Sequence, residues 1–374
     1  MKFCKSVPIL LISAVTVVVI VLSLISNRLF SGMTAAVEEN QLNLVRSIIQ
    51  FNLRGAEDRA LARAAMVAQL PRARELFAAQ DRPGLLAEYQ RMFLEQKEKF
   101  AVDQAQFHTP PATSFLRLND PDKFGDDLST FRPMVVAVNR DQTPRKGFAI
   151  ARSGPAIFGV VPMFDRQGRH IGSFEMGIAF AGILEGLKNA YNLEMAVFIG
   201  ESPLREFAKG VSPGILSDQN RVGPFIRFHS TNADLLKELV VDQNLNSLEG
   251  TQYVRKVHGN TYGVVLVPLR NSAGDILGFV AAVTDLSASR AAENRSKVWQ
   301  ALMALCAIVL LAGLILVSIR GMLLRPLEAI TARFDALSKG DLSDGIETEI
   351  LCDELKGLAQ QHEQLRQQLK KGDK

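Results

Sequence analysis

The sequence predicts an α+β protein: two similar strand-and-helix modules in tandem between two membrane-spanning helices, with a helical coiled coil at the C-terminal end. Two long apolar runs, a duplicated hairpin pattern and a heptad-like seam point to it. The apolar runs are residues 7–26 and 298–319, each about 20 residues or more and uncharged. That length spans a hydrocarbon core of roughly 30 Å as a helix. The duplicated pattern is Val161-Pro162 followed by Gly168 and Gly172, and Val267-Pro268 followed by Gly274 and Gly278, at identical spacing. Both copies read as strand, glycine-ended turn, strand, so the chain repeats one unit. The seam is Leu351, Leu355, Leu358, His362, Leu365 and Leu369, stepping by four and three. A seam this short needs partner helices.

The bulk numbers exclude several classes. With 374 residues there is room for two or three modules with their own cores. A net charge of +4, with no basic run interleaved with aromatics, argues against a nucleic-acid partner. The cysteines are Cys4, Cys306 and Cys352, so residues 27–297 carry neither a disulfide nor a thiolate metal site. His108, His170, His229 and His258 lack metal-ligand spacing, and no metal or cofactor is expected. No Ser/His/Asp set, P-loop or dinucleotide fingerprint is present, so no catalytic residue is assigned.

Taken in order, residues 1–6 form a short stub carrying Lys2 and Lys5, and 7–26 the first span. A cleaved signal peptide is the alternative; the run is long for one, and no small-x-small site comes after it. Val37, Leu44, Val45, Ile48 and Ile49 and the alanine-rich stretch after them predict a helix up to Pro71. Asp81-Arg82-Pro83 should cap and open another, running to about Phe100. From Phe107 the pattern turns to loops and strands. Strands are expected at 147–152, 157–164 and 170–178, with the turn Asp165-Arg166-Gln167-Gly168 joining the last two. A helix at 179–191, a strand at 195–199 and a helix at 232–241 lead to the second hairpin. Residues 27–297 thus form one domain with a distal module at about 101–190 and a proximal one at about 191–290. Residues 298–319 are the second span, and residues 320–374 a helical pair interrupted at Gly340-Asp341-Leu342-Ser343. Both termini then lie on one side of the bilayer, the side of Lys2, Lys5, Arg320 and Arg325.

Residues 107–178 carry the polar groups that can converge on a ligand: His108, Arg117, Asp126, Asp127, Arg132, Arg152 and Glu175. They suit a pocket that fixes a small polar molecule through charge-assisted hydrogen bonds. The competing reading has Asp126 or Asp127 capping a turn and the arginines pairing with carboxylates. Strand alternation puts Glu175 on one face with Ser173 and Gly177, where it binds something or pairs with an arginine. His362-Glu363-Gln364-Leu365-Arg366 superficially resembles a phosphoacceptor box, but His362 fills a seam position and is expected to set helix register.

The two spans, the tandem modules and the post-membrane helix pair resemble bacterial chemoreceptors and sensor kinases with a PAS-like double Cache domain followed by a HAMP domain. The stretches FHTPPATSFLRLNDPDKFGDDLSTFR and GVVPMFDRQGRHIGSFEMGI are similar to the double Cache part. Pro326-Leu327, Gly340-Asp341-Leu342 and Asp353-Glu354-Leu355 are similar to HAMP. The resemblance implies a homodimer in the bacterial inner membrane, its sensor domain periplasmic. It implies a small-molecule ligand in the distal module and a cytoplasmic signalling partner. Ala149 and Phe158 mark departures from it: the family pattern usually carries a Glu where Ala149 stands and an Arg near Phe158. The chain stops at Lys374 without a methyl-accepting hairpin, kinase core or cyclase domain. Two alternatives stay open: the sensor portion of a kinase or cyclase whose catalytic domain lies elsewhere, and a periplasmic module that binds a protein.

Overall fold

The computed structural model describes residues 3–245, 250–341, 343, 345–346 and 353–372. Leu342, Leu351 and Cys352 lie outside the described residues. The chain divides into one unit of Ala36–Arg290 and another of Met1–Ala35 with Ala291–Lys374.

Helix α1 (Phe3–Gln69) supplies the backbone of the first unit. Its residues Leu42, Val45, Ile49, Ala56, Ala60, Ala64 and Val67 are buried and step by three, four and seven, so they form one stripe. The alanines have a steric purpose: a Cβ on Gly159 would collide with the helix backbone at Ala60 and Leu61. Sheet and helix main chains therefore touch where both sequences are small. Leu70 interrupts the helix before Pro71, where α2 (Pro71–Ala78) begins. In α3 (Arg82–Phe100) the Asp81 carboxylate accepts the Gly84 N–H at 2.9 Å, the cap expected from sequence.

The strand region starts earlier than Phe107. Ala101 takes the left-handed conformation, ends α3, and the chain turns directly into β1 (Val102–Thr109). After it come β2 (Thr113–Arg117), α4 (Pro133–Asp141), β3 (Arg145–Ala151), β4 (Gly154–Phe164) and β5 (His170–Ala179). They form an antiparallel sheet of order β2-β1-β5-β4-β3. Helix α5 (Phe180–Tyr191) leads to β6 (Glu194–Gly200), α6 (Glu201–Phe207), β7 (Arg221–Val222) and β8 (Phe225–Ser230). Helix α7 (Ala233–Leu239), capped by Asn232, and strands β9 (Gln252–Val257), β10 (Asn260–Arg270) and β11 (Ile276–Asp285) complete the second sheet. Its order is β7-β8-β6-β11-β10-β9, which repeats the first once β7 is set aside.

The two hairpins match closely at their turns. Met163 pairs Gly172 and Leu269 pairs Gly278, and each register shifts at the next residue. Asp165 Oδ1 accepts the N–H groups of Gln167 and Arg169; Asn271 Oδ1 accepts those of Ala273 and Asp275. Gly168 and Gly274 both have positive φ, which a side chain would strain. A shared bulge and a shared side-chain-bonded turn explain why the glycine spacing is identical.

In the other unit, α8 (Ser287–Ile319) starts well before residue 298. It and the N-terminal part of α1 are each long and apolar enough to cross a membrane. Leu22 and Leu310 are more than half exposed, so these helices carry apolar side chains that no protein group covers. A π-helical turn (Arg320–Leu324) precedes α9 (Arg325–Ser338), and α10 (Asp353–Gly372) packs on it. Ile330, Leu337, Leu355, Ala359 and His362 are buried, with the His362 ring edge-on to Phe334 at 4.8 Å. Leu358, Leu365 and Leu369 of the same seam stay exposed.

The closest backbone approaches in the repeat are testable. A Cβ on Gly172 would collide with the His108 carbonyl oxygen, and one on Gly278 with that of Phe198. Both are main-chain obstacles that cannot rotate away. Gly172→Ala and Gly278→Ala should each destabilise the sensor unit by about 2 kcal/mol or more, whereas Gly186→Ala, with open space around it, should be neutral or stabilising. Thermal unfolding of the three variants checks this.

Candidate ligand-binding site

Strand alternation divides β1 between two environments. Ala105 and Phe107 point into the core, where the Phe107 ring lies 5.4 Å from Phe77 and 4.5 Å from Phe174. Gln104, Gln106 and His108 take the other face. They pair with Gly177, Glu175 and Ser173 of β5. A row of buried polar groups therefore runs across the middle of the first sheet.

The loop from β2 to α4 folds over this row. Arg117, at the end of β2, is buried and makes a fork with Asp126 at 2.8 and 2.7 Å, while also donating to the Lys123 carbonyl. Those hydrogen bonds hold the Asp126 carboxyl below its usual range. Arg132 is held in place by the helix that begins after it. Pro133 opens α4, whose Met134, Val135 and Val138 pack with Phe158 and Val160, and this lays the guanidinium 4.4 Å from the Phe158 ring centroid. From there Arg132 Nη2 donates to Glu175 Oε2, and both side chains are almost wholly buried. His108 Nε2 lies 3.7 Å from the other Glu175 oxygen.

The electrostatics are set by that burial. Loss of water and the nearby Arg132 and Arg117 charges hold the His108 imidazole well below its ordinary range, so the ring is neutral. Burial pushes the Glu175 carboxyl up, and the Arg132 guanidinium in direct contact opposes the rise. Asp103, also on β1, is raised by burial to about 6.

In front of the polar row lies a cavity of about 240 Å³. Its walls are Gln104 and Gln106 from β1, Arg117, Asn119, Asp120, Lys123, Leu128, Phe131 and Arg132 from the covering loop, and Ala151, Arg152 and Ser153 from the β3–β4 turn; Gly210 closes one side. Of the seven residues singled out from sequence, Arg117, Arg132 and Arg152 line it. Glu175, His108 and Asp126 stand behind the lining, two around Arg132 and one on Arg117. Asp127 takes the bland role: it is exposed and caps a turn, accepting from the N–H and hydroxyl of Ser129. Sequence reasoning missed the lining residues Gln104, Gln106, Asn119, Lys123 and Ser153. The alternation of Gln104, Gln106 and His108 against Ala105 and Phe107 was a legible signal, hidden by starting the strand region at Phe107. Ala149 does not touch this cavity; it lines a smaller one of about 140 Å³ with Met134, Phe148 and Phe207. Phe158 supports Arg132 from below rather than contributing a charge. Among the described residues no cluster of metal-binding side chains occurs.

The chain belongs to the double Cache family whose description is "double sensory domain of two-component sensor kinase"; the match covers residues 38–287. Two apolar helices therefore flank a sensory domain. No curated protein matches the chain. Solved structures similar in fold include the ligand-binding domain of the Campylobacter jejuni chemoreceptor Tlp3 with 4-methylisoleucine, at 10% identity and TM-score 0.41, covering 70% of this chain and 94% of that one. The ligand-binding domain of the Pseudomonas fluorescens chemoreceptor CtaA with L-serine matches at 13% and 0.40, covering 67% and 98%. The sensor domain of the V. cholerae histidine kinase DctB matches at 11% and 0.39, covering 66% and 98%.

His108 is faced by Glu175, Arg132 and Arg117, and its folded-state affinity for a proton lies below the unfolded value. As pH falls below about 6.5 the unfolded chain takes up a proton that the folded one refuses, so stability drops by up to about 1.4 kcal/mol per pH unit. Glu175, shifted upward, works in the opposite sense, so the comparison needs a variant that removes His108 alone. Thermal unfolding of the full chain in lipid nanodiscs between about pH 7.5 and about pH 5.5 should show the native protein losing stability relative to His108→Gln. Parallel curves would refute a neutral buried His108.

Proposed function

We propose that this protein is a non-catalytic, homodimeric receptor of the bacterial inner membrane. It binds a small polar ligand in its periplasmic distal module and passes the change through two membrane helices to a HAMP-like helix pair and a cytoplasmic partner. The observation that carries this reading is the cavity of about 240 Å³ behind the β2–α4 loop, inside the family-matched region and lined mostly by polar side chains. Its wall includes Arg132, the N-cap residue just before α4, so a ligand drawing on that guanidinium acts directly on a helix terminus. The route onward has chain continuity: β11 ends at Asp285 and α8 begins at Ser287. Arg290 and Glu38, 2.5 Å apart, tie the start of that helix to α1. The ligand need only prefer one of two arrangements of these helices. The exposed seam residues Leu358, Leu365 and Leu369 support a partner helix from a second copy.

Thermal-shift screening of the full chain in nanodiscs against polar metabolites tests the receptor reading. A ligand at a hundred times its Kd should add about 2.7 kcal/mol of stability. Ser153→Trp, a change at the cavity mouth, should abolish that shift without lowering the basal melting temperature. A blank across the library would sink the small-molecule reading. For the dimer, Leu365→Cys, made after Cys4, Cys306 and Cys352 are replaced by Ser, should cross-link between copies on mild oxidation in membranes. Exclusively monomeric product would count against the coiled-coil pairing.

A further inference from the structure

The polar cavity has a sign. Four of its lining side chains are cationic, Arg117, Lys123, Arg132 and Arg152, and one is acidic, Asp120. Three of the cations are already matched. Arg117 holds Asp126 at 2.7 Å, Lys123 holds Asp120 at 3.2 Å, and Arg132 holds Glu175. Among the described residues Arg152 has no carboxylate within ion-pair distance, so its positive charge is the surplus of the site. Among the described residues no lining side chain keeps a buried acceptor without a partner. The site therefore offers positive charge, and its one acidic lining residue is already paired.

From this surplus we infer that the ligand is a small organic acid without an amino group, its carboxylate taken by the Arg152 guanidinium. The inference rests on the small-molecule reading above and names its chemical class. A carboxylate supplies two acceptor oxygens in the plane that a guanidinium prefers. An α-ammonium entering the same cavity would find both nearby carboxylates, Asp120 and Asp126, engaged with Lys123 and Arg117. It would stand unpaired beside a net positive wall, which costs far more than it returns. The non-polar part of the acid lies against Leu128, Phe131 and Ala151, the apolar members of the lining. A volume of about 240 Å³ limits that part to a small metabolite.

Matched probe sets test this on the full chain in nanodiscs by calorimetry and thermal shift. Each set contains one small acid (propionate, butyrate, succinate or benzoate among them), its amino acid counterpart, its amide and the corresponding amine. At least one acid is expected to bind, with its amino, amide and amine counterparts at least about tenfold weaker. Arg152→Gln should weaken that acid at least about tenfold and lower the salt dependence of binding. Ser153→Glu, which adds a carboxylate to the lining, should also weaken the acid. Unlike a merely structural change, it should narrow the gap to the amino counterpart. Binding of amino acids or amines in preference to every acid would overturn the inference and leave the receptor reading standing. Failure of all four chemical classes would overturn both.

Discussion

The stripe Leu42–Val45–Ile49–Ala56–Ala60–Ala64–Val67 on α1 is the constraint from which the sensor unit is built. Its larger residues and its alanines join one continuous core with side chains from both sheets, Val161 and Phe174 in the first, Val197 and Val265 in the second. A single helix thus supplies the apolar partner that each sheet needs for its inner face. The small residues matter as much as the large ones. Gly159 lets two main chains come into contact beside Ala60, and a side chain there would meet the helix backbone.

With one face of the first sheet committed to that helix, the other is free to be polar. Buried charge is tolerated there because each group has a counterpart within reach: Glu175 has Arg132 and Arg117 has Asp126. Such pairs add little net stability, but removing one partner strands the other in a dry interior. The arrangement is therefore better understood as positioning than as glue. It aims guanidiniums into a cavity. Phe158 and Pro133 contribute by fixing where Arg132 starts and what it rests on.

The duplication places this chemistry in one module. Both sheets share strand order, bulge and turn, yet the equivalent central strand of the second, β6, carries Met195, Val197 and Ile199 toward the same core and Ala196 and Phe198 on its other face. Where β1 sets Gln104, Gln106 and His108, β6 sets apolar groups stacked with Phe279. The first copy thus holds polar groups and a cavity beside an apolar cluster on that face, while the second fills its face with an apolar core.

Elements that rest on local chemistry were legible in the sequence. Pro71 and Asp81 marked helix boundaries, the glycine spacing disclosed the repeat, and the apolar runs disclosed two helices long and apolar enough to cross a membrane. The pattern also narrowed the polar residues to a set that holds three cavity-lining arginines. It did not separate lining from support: Asp126, Asp127, His108 and Glu175 are residue types as apt to touch a ligand as Arg117 or Arg152. Which does so depends on how the loop 118–132 folds over β1, and that depends on contacts tens of residues apart, such as Arg132 with Glu175. Only in three dimensions does Ala101 end α3 early enough for Gln104 and Gln106 to enter the site. Only there does one lining guanidinium stand out as having no carboxylate within ion-pair distance among the described residues, because pairing is a property of distance in space and not of spacing along the chain.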